Sequence, residues 1–224
     1  MRIDIVTIFP EFFNPIINHS IINRSVAKKK VEIYTHNIRD FSNNKQKSVD
    51  DYQFGGDPGM VLQVQPIDDC ISKLKSERVY CEIIYLSPCG ETLNQTECNR
   101  LSVLKNIILL CGNYKGIDQR AIDLHVTKEV SIGDYVLTGG EFAASILLDS
   151  VIRLIPGVIS NESSALFDSF QDNLLAPPIY SRPSTYKNLK VPNVLLSGNS
   201  KKIEEWKEKQ IIKITKSKRP DLLD

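Results

Sequence analysis

The chain has 224 residues, of which 42% are apolar and 25% charged, and its net charge of +1 is ordinary for a soluble globular protein of one large or two modest domains. Five cysteines without a C-x-x-C pair, and three histidines at unrelated spacings, argue against a disulfide scaffold or a structural zinc site and for reduced thiols in a cytosol. We find neither a signal peptide nor a run of roughly 18 uncharged apolar residues, and therefore expect a cytoplasmic protein that does not enter the membrane.

Strand-like and helix-like segments alternate along most of the chain, from residue 3 to residue 154. Such alternation predicts an α/β fold with a mostly parallel sheet covered by helices on both faces. The predicted strands are 3–9, 31–38, 81–86, 106–111 and 126–132, and the predicted helices are 12–23, 66–75, 96–104, 118–125 and 141–154.

A polar segment separates this predicted α/β domain, residues 1–156, from the end of the chain. Residues 157–177 are weakly periodic, which is typical of a mobile linker. Three prolines then introduce a small helical domain, residues 178–224, whose final helix is predicted at 200–218.

Charge is distributed unevenly between these parts. Residues 178–224 carry eleven Lys and Arg against five Asp and Glu, a balance of +6, whereas residues 1–177 have a balance of −5. A basic tail of this kind is typical of a segment that binds a polyanion, although a solvated helix face has the same composition. The charge pattern alone leaves both interpretations open.

Glycine-containing loops follow three of the predicted strands, at residues 87–90, 112–116 and 133–140. Ligands of parallel sheets bind at the carboxyl ends of strands, where glycine lets the backbone approach a flat ligand closely. Turn formation explains any one loop, whereas three together favour a ligand site. Neither G-x-G-x-x-G after the first strand nor a P-loop motif is present, so we do not expect a standard dinucleotide or P-loop nucleotide site.

Eight segments carry the most specific information in the sequence. They are MRIDIVTIFP (1–10), FGGDPGMVLQVQP (54–66), GNYKGIDQR (112–120), SIGDYVLTGGE (131–141), DSVIRLIPGV (149–158), DSF (168–170), YSRP (180–183) and VPNVLLSGN (191–199). In content and order they resemble the bacterial tRNA (guanine-N1)-methyltransferase family of the SPOUT class. The resemblance implies methyl transfer from S-adenosylmethionine to N1 of the guanine 3′ of the anticodon. It also implies a deep C-terminal trefoil knot and a homodimer with active sites at the subunit interface.

The same resemblance implies where S-adenosylmethionine binds: backbone groups of the three glycine loops would hydrogen-bond the adenine edge. The cofactor-binding residues that it implies are Leu86, Pro88, Gly112, Tyr114, Ile132, Gly133, Asp134, Tyr135, Val136, Leu137, Gly139 and Gly140.

Asp168 and Arg153 match the catalytic residues of the family. Guanine N1 carries a proton that must leave, which a carboxylate can accept, and a guanidinium can stabilise negative charge on the neighbouring carbonyl oxygen. Taken without the resemblance, Arg153 is equally a cation at a helix C-terminus, and Asp168 an ordinary loop aspartate.

The expected partner is tRNA, contacted by Arg182, Lys213, Lys216 and Lys218. The resemblance also suggests Mg²⁺ as a second cofactor, and one departure bears on it. Lys115 stands where the family usually has Glu, which reverses a charge beside the expected cofactor site.

Two alternative functions stay open at this point. A knotted ribose methyltransferase shares the fold class and differs in its product. A non-catalytic RNA-binding protein would keep the scaffold without turnover; the presence of Arg153, Asp168 and the loop glycines favours an enzyme.

Overall fold

Parallel strands form the centre of the first of two units into which the chain divides, Met1–Ser160 and Asn161–Asp224. The computed structural model describes residues 1–159 and 168–223. The strands of the first unit are β1 (Arg2–Thr7), β2 (Glu32–Asn37), β3 (Asp50–Tyr52), β4 (Met60–Leu62), β5 (Glu82–Thr92), β6 (Asn106–Cys111) and β7 (Lys128–Ser131). Five of them pair in parallel in the order β2-β1-β6-β5-β7, which confirms the predicted sheet.

Helices cover both faces of this sheet, as predicted. Successive residues of a strand point to opposite faces, so Leu109 packs with helical Leu147 on one side, and Leu110 packs with helical Ile71 on the other. The helices are α1 (Asn14–Ile17), α2 (Ser20–Ala27), α3 (Val64–Glu77), α4 (Gln95–Ser102), α5 (Gln119–His125) and α6 (Glu141–Ile152), with 3₁₀ turns at Pro10–Phe13 and Ile38–Phe41.

Two local features differ from the expectation. The helix predicted at 12–23 is interrupted between α1 and α2, because His19 has an extended backbone (φ −104°, ψ 137°) and Ser20, at which α2 begins, has a left-handed φ of 46°. The antiparallel pair β3–β4 was not predicted, because strands of three residues are too short to show alternation.

A buried carboxylate joins β1 to its surroundings. Asp4 is fully buried and accepts hydrogen bonds from Arg2 Nε (2.7 Å) and the Tyr80 hydroxyl (2.8 Å), with His36 Nε2 at 2.7 Å. Burial opposes ionisation, but these hydrogen bonds hold the pKa of Asp4 at about 2. The carboxylate therefore stays charged at neutral pH and ties β2 and the segment that precedes β5 to β1.

The second unit contains the hairpin β8–β9 (Thr185–Tyr186 and Leu189–Lys190), the short helix α7 (Asn193–Leu196) and the long helix α8 (Ser200–Lys218). Helix α8 begins and ends at the predicted residues, and the Asn199 side chain caps it by accepting from the Lys202 N–H at 3.1 Å. The linker predicted at 157–177 includes residues 160–167, which lie outside the described residues.

All five cysteines are free thiols. Across residues 1–159 and 168–223, no helix is long and apolar enough to cross a membrane. The trefoil knot stays a prediction that follows from the resemblance.

Candidate functional site

A cavity of about 820 Å³ opens at the carboxyl ends of β5, β6 and β7. This volume is in the range of pockets that bind small molecules. Its wall is built from the three glycine-containing loops that follow these strands. The edge of the sheet at which a ligand site was predicted is therefore the edge at which the cavity lies.

The first loop arises inside β5 rather than at its end. Pairing of β5 with β7 is interrupted after Leu86 and resumes at Glu91, so residues 87–90 leave the sheet and form part of the cavity wall. Pro88 lies in this segment and has no backbone N–H to donate to a neighbouring strand. The predicted strand end at residue 86 thus corresponds to this interruption, although β5 continues to Thr92.

All but one of the twelve predicted cofactor-binding residues line this cavity; Asp134 is not among the lining residues. Sequence reasoning did not assign the remaining wall, which includes Lys115 and Glu129. The predicted residues in the wall are Leu86, Pro88, Gly112, Tyr114, Ile132, Gly133, Tyr135, Val136, Leu137, Gly139 and Gly140.

Close packing of two backbones holds the second and third loops together. The Gly140 N–H donates to the Gly112 carbonyl at 2.8 Å, and Asn113 and Gly139 form an antiparallel bridge. A Cβ added to Gly140 would lie 2.9 Å from Cys111 Cα and 3.1 Å from Gly112 N. Gly140 is therefore required for close approach and not for an unusual backbone angle, since its φ is −75°.

Glu141, at the first position of α6, connects these loops to β1. Only 4% of the residue is exposed, and its Oε1 accepts from Thr7 Oγ1 (2.7 Å) and Asn113 Nδ2 (2.9 Å). The helix N-terminus favours a carboxylate here. Burial, with the Glu141 charge nearby, raises the pKa of the Cys111 thiol well above its usual range, so this thiol stays protonated.

Sequence reasoning had no signal for this network of Thr7, Asn113 and Glu141, because Thr7 and Glu141 are 134 positions apart. The motif SIGDYVLTGGE contains Glu141, but nothing local identifies its partners.

The cavity is nearly free of charge. Lys115 is exposed and Glu129 half-buried, and these are the two charged side chains among the described lining residues. Burial raises the pKa of Tyr85, also in the wall, to about 12, so its phenol is neutral.

The residues of this wall give Mg²⁺ little support. Magnesium is usually bound by one or two carboxylates together with substrate phosphates, and the described wall has one carboxylate and an ammonium group that repels a cation. In the described parts of the chain, no group of three or more His, Cys, Asp or Glu side chains could hold a metal ion.

Arg153 lies in the first unit and Asp168 in the second. The backbone at each residue is held by contacts within its own unit. Arg153 follows the last residue of α6, and its N–H donates to the Asp149 carbonyl at 3.3 Å. Asp168 is half-buried at the start of a turn in the second unit.

Helix α8 anchors the turn that follows Asp168. The Leu175 N–H donates to Oγ1 of the buried Thr215 (3.0 Å), and the Phe170 N–H donates to the Leu174 carbonyl (2.6 Å). The guanidinium of Arg219 lies 5.7 Å from the centre of the Phe170 ring. The second unit therefore determines the conformation of the chain beside Asp168.

The predicted RNA-binding residues all lie exposed in the second unit. Arg182 precedes a cis-proline, and Lys213, Lys216 and Lys218 lie on the last turns of α8. Two of these lysines also lie near the negative end of the helix dipole, which accounts for part of their placement without a ligand.

Comparisons with known proteins point to one family. The family model described as tRNA (guanine-1)-methyltransferase TrmD matches residues 1–224. Relatives named tRNA (guanine-N(1)-)-methyltransferase include those of Flavobacterium johnsoniae, 61% identical over all of this chain and 99% of the relative, and Flavobacterium psychrophilum, 61% identical over all of both chains. That of Bacteroides thetaiotaomicron is 54% identical, again over all of both chains.

Proposed function

This chain belongs to the tRNA (guanine-1)-methyltransferase family, and we propose that it transfers the methyl group of S-adenosylmethionine to N1 of the guanine 3′ of the anticodon in tRNA. One structural observation supports the proposal in addition to family membership. The cavity at the carboxyl ends of β5, β6 and β7 is lined by eleven of the residues expected to bind the methyl donor.

S-adenosylmethionine supplies an electrophilic methyl group when it is bound. The chain's own wall is suited to hold its uncharged nucleoside, because most of the lining is apolar, glycine or backbone. Backbone amides and carbonyls of the loops at 112–116 and 132–140 would pair with the adenine edge.

We assign the proton acceptor to Asp168 and charge stabilisation to Arg153. Guanine N1 becomes nucleophilic as its proton moves to the Asp168 carboxylate. The negative charge that then develops on the guanine carbonyl oxygen is stabilised by the Arg153 guanidinium.

Labelled S-adenosylmethionine and unmodified tRNA transcripts test this function. We expect label to enter a transcript with guanine 3′ of the anticodon, and not one with adenine there, and to be recovered as N1-methylguanine. Label on a ribose would indicate the ribose methyltransferase. Binding of both substrates without transfer would indicate the non-catalytic RNA-binding protein.

We propose that lysines at the end of α8 contact tRNA phosphates. The charge balance of +6 in residues 178–224 supports this proposal. Replacing Lys213, Lys216 and Lys218 by Gln should lower tRNA affinity and reduce the salt dependence of binding by about 2 to 3 units of slope, because each lost phosphate contact removes roughly one. Filter binding across salt concentrations measures this slope.

The matched control for these lysines replaces Lys28, Lys75 and Lys105, three exposed lysines of the first unit, and lowers the net charge equally. We expect it to leave the slope unchanged. A slope that the triple α8 variant does not alter would mean that these lysines are simply solvated.

We also propose that the enzyme acts in the cytoplasm as a homodimer with active sites at the subunit interface. Free thiols support the location. Exposed apolar side chains on α6 support the assembly, since Phe142 is 55% and Ile146 45% exposed beside the cavity-lining Ala143.

A further inference from the structure

Lys115 is the one cation in the described wall of the cavity. The wall also contains Glu129, and none of its other described members is Lys, Arg, His, Asp or Glu. Lys115 is exposed, so solvent screens its charge, but few other charges of the wall compete with it for an anionic ligand. The reactants of the proposed reaction carry anionic groups, whereas guanine and adenine do not.

The backbone around Lys115 is held in an unusual conformation. Tyr114 has a left-handed φ of 61° and Gly116 a φ of 124°. Hydrogen bonds from the Lys115 N–H to the Met60 carbonyl (3.0 Å) and from the Gly116 N–H to the Asn113 carbonyl (3.0 Å) hold the loop in this shape. A left-handed tyrosine is strained, and such strain is concentrated at functional sites.

The alkyl stem of Lys115 lies along Gly59. A Cβ added to Gly59 would be 2.7 Å from Lys115 Cγ and 3.0 Å from Lys115 Cε. The missing side chain at Gly59 therefore leaves the space that the Lys115 stem occupies, and a larger residue at this position would displace the stem.

No carboxylate neutralises this ammonium within residues 1–159 and 168–223, where Lys115 makes neither an ion pair nor a side-chain hydrogen bond. Lys128 of β7, by contrast, is paired with Glu91 at 2.9 Å. Lys115 therefore has three donors available at the cavity wall.

We propose that Lys115 binds an anionic oxygen of a reactant, either the carboxylate of the methyl donor or a phosphate of the target tRNA nucleotide. The inference rests on the proposed function and adds to it a positioning residue. Lys115 and Glu129 together provide both signs of charge, which matches the zwitterionic end of S-adenosylmethionine.

Binding measurements without turnover distinguish the carboxylate of the methyl donor from a tRNA phosphate as the anion that Lys115 binds. We compare Lys115→Gln and Lys115→Arg with Lys105→Gln, an exposed control at the opposite end of β6. The ligands are S-adenosylhomocysteine, 5′-methylthioadenosine, which lacks the amino-acid end, and unmodified tRNA.

If Lys115 binds the carboxylate, Lys115→Gln lowers the affinity for S-adenosylhomocysteine about tenfold or more, as expected for the loss of a charged hydrogen bond. The affinity for methylthioadenosine is then unchanged. If Lys115 binds a phosphate, both small ligands bind as before, whereas tRNA affinity falls and its salt slope drops by about one unit. Lys115→Arg retains most of the affinity in either case, and Lys105→Gln retains all of it.

Unchanged binding of all three ligands by Lys115→Gln would overturn the inference. Wild-type protein that bound neither S-adenosylhomocysteine nor tRNA would instead refute the proposed function.

Gly59 offers an independent test of how the lysine is positioned. In the wild-type background, Gly59→Ala should displace the Lys115 stem and weaken binding of the ligand that Lys115→Gln affects. In the Lys115→Gln background the loss should be smaller, because the ammonium group is gone and only the strain that alanine meets at the Gly59 φ of 118° is left. An equal loss in both backgrounds would show that Gly59 does not act through Lys115.

Discussion

Replacing Asp168 by Asn is expected to slow methyl transfer by about 10² to 10⁴-fold, the usual contribution of a positioned general base. Asparagine has nearly the same size and can still hydrogen-bond a guanine edge, but it cannot accept the N1 proton at neutral pH. The turn after Asp168 is held by Leu175, Thr215 and Phe170 and does not depend on the carboxylate alone, so we expect the fold to be retained. The loss should therefore appear in turnover and not in binding.

Single-turnover transfer at saturating tRNA and S-adenosylmethionine measures this loss, with calorimetry for both ligands. Asp172→Asn is the matched control, because Asp172 is an exposed aspartate of the same turn whose left-handed φ of 51° asparagine tolerates well. It should turn over normally. If Asp168→Asn kept more than about a tenth of the wild-type rate, the general base would have to be sought elsewhere, with Asp50 and Asp51 the next candidates.

The same variant tests whether active sites are shared between subunits. If Asp168 of one subunit acts with Arg153 of another, mixing Asp168→Asn with Arg153→Ala should restore activity that neither has alone. A mixture no more active than its components would argue for a site built within one chain.

Replacing Gly140 by Val is expected to abolish binding of S-adenosylmethionine, with at least a 100-fold loss of affinity, because the added side chain must separate two loops of the cavity wall. Its Cβ alone would lie 2.9 Å from Cys111 Cα, a backbone atom that cannot rotate away. The hydrogen bond from the Gly140 N–H to the Gly112 carbonyl would break as the loops part. We also expect the free energy of unfolding to fall by about 1–3 kcal/mol, as for other overpacked sites.

Calorimetry with S-adenosylhomocysteine and thermal unfolding measure these two effects separately. Gly198→Ala in the second unit is the control for lost stability without a change in the cavity. Its φ of 68° strains alanine, but an added Cβ there meets nothing within 4 Å. Affinity within a few-fold of wild type for Gly140→Val would mean that the donor does not bind between these loops.

Local pattern was sufficient for the parallel sheet of the first unit and for the long helix of the second. The strand at 106–111 was predicted to the residue and the helix at about 200–218 as it is observed, since an apolar run and a long polar helix are each visible in a short window. Alternation of such segments predicted the parallel sheet, and with it the edge where the cavity opens. The glycine loops that form its wall were recognised for the same reason.

Site chemistry was predicted through resemblance and not through local pattern. Nothing in the neighbourhood of Asp168 or Arg153 distinguishes a base from a loop aspartate, or a charge stabiliser from a helix-end cation. Their catalytic roles stay predictions until the variants above are measured.

Contacts between distant segments were decided only by the tertiary structure. Glu141 reaches Thr7 across 134 positions, the backbone of Gly140 lies against that of Cys111, and the stem of Lys115 lies along Gly59. Each contact depends on how two strands or loops are packed side by side, and a sequence window that spans one element contains neither the partner nor the distance. The sequence by itself therefore determined the strands of the parallel sheet, most of the helices, their order and the loops at the sheet edge, whereas packing alone decided which side chains hold those loops together and which charged side chains line the cavity.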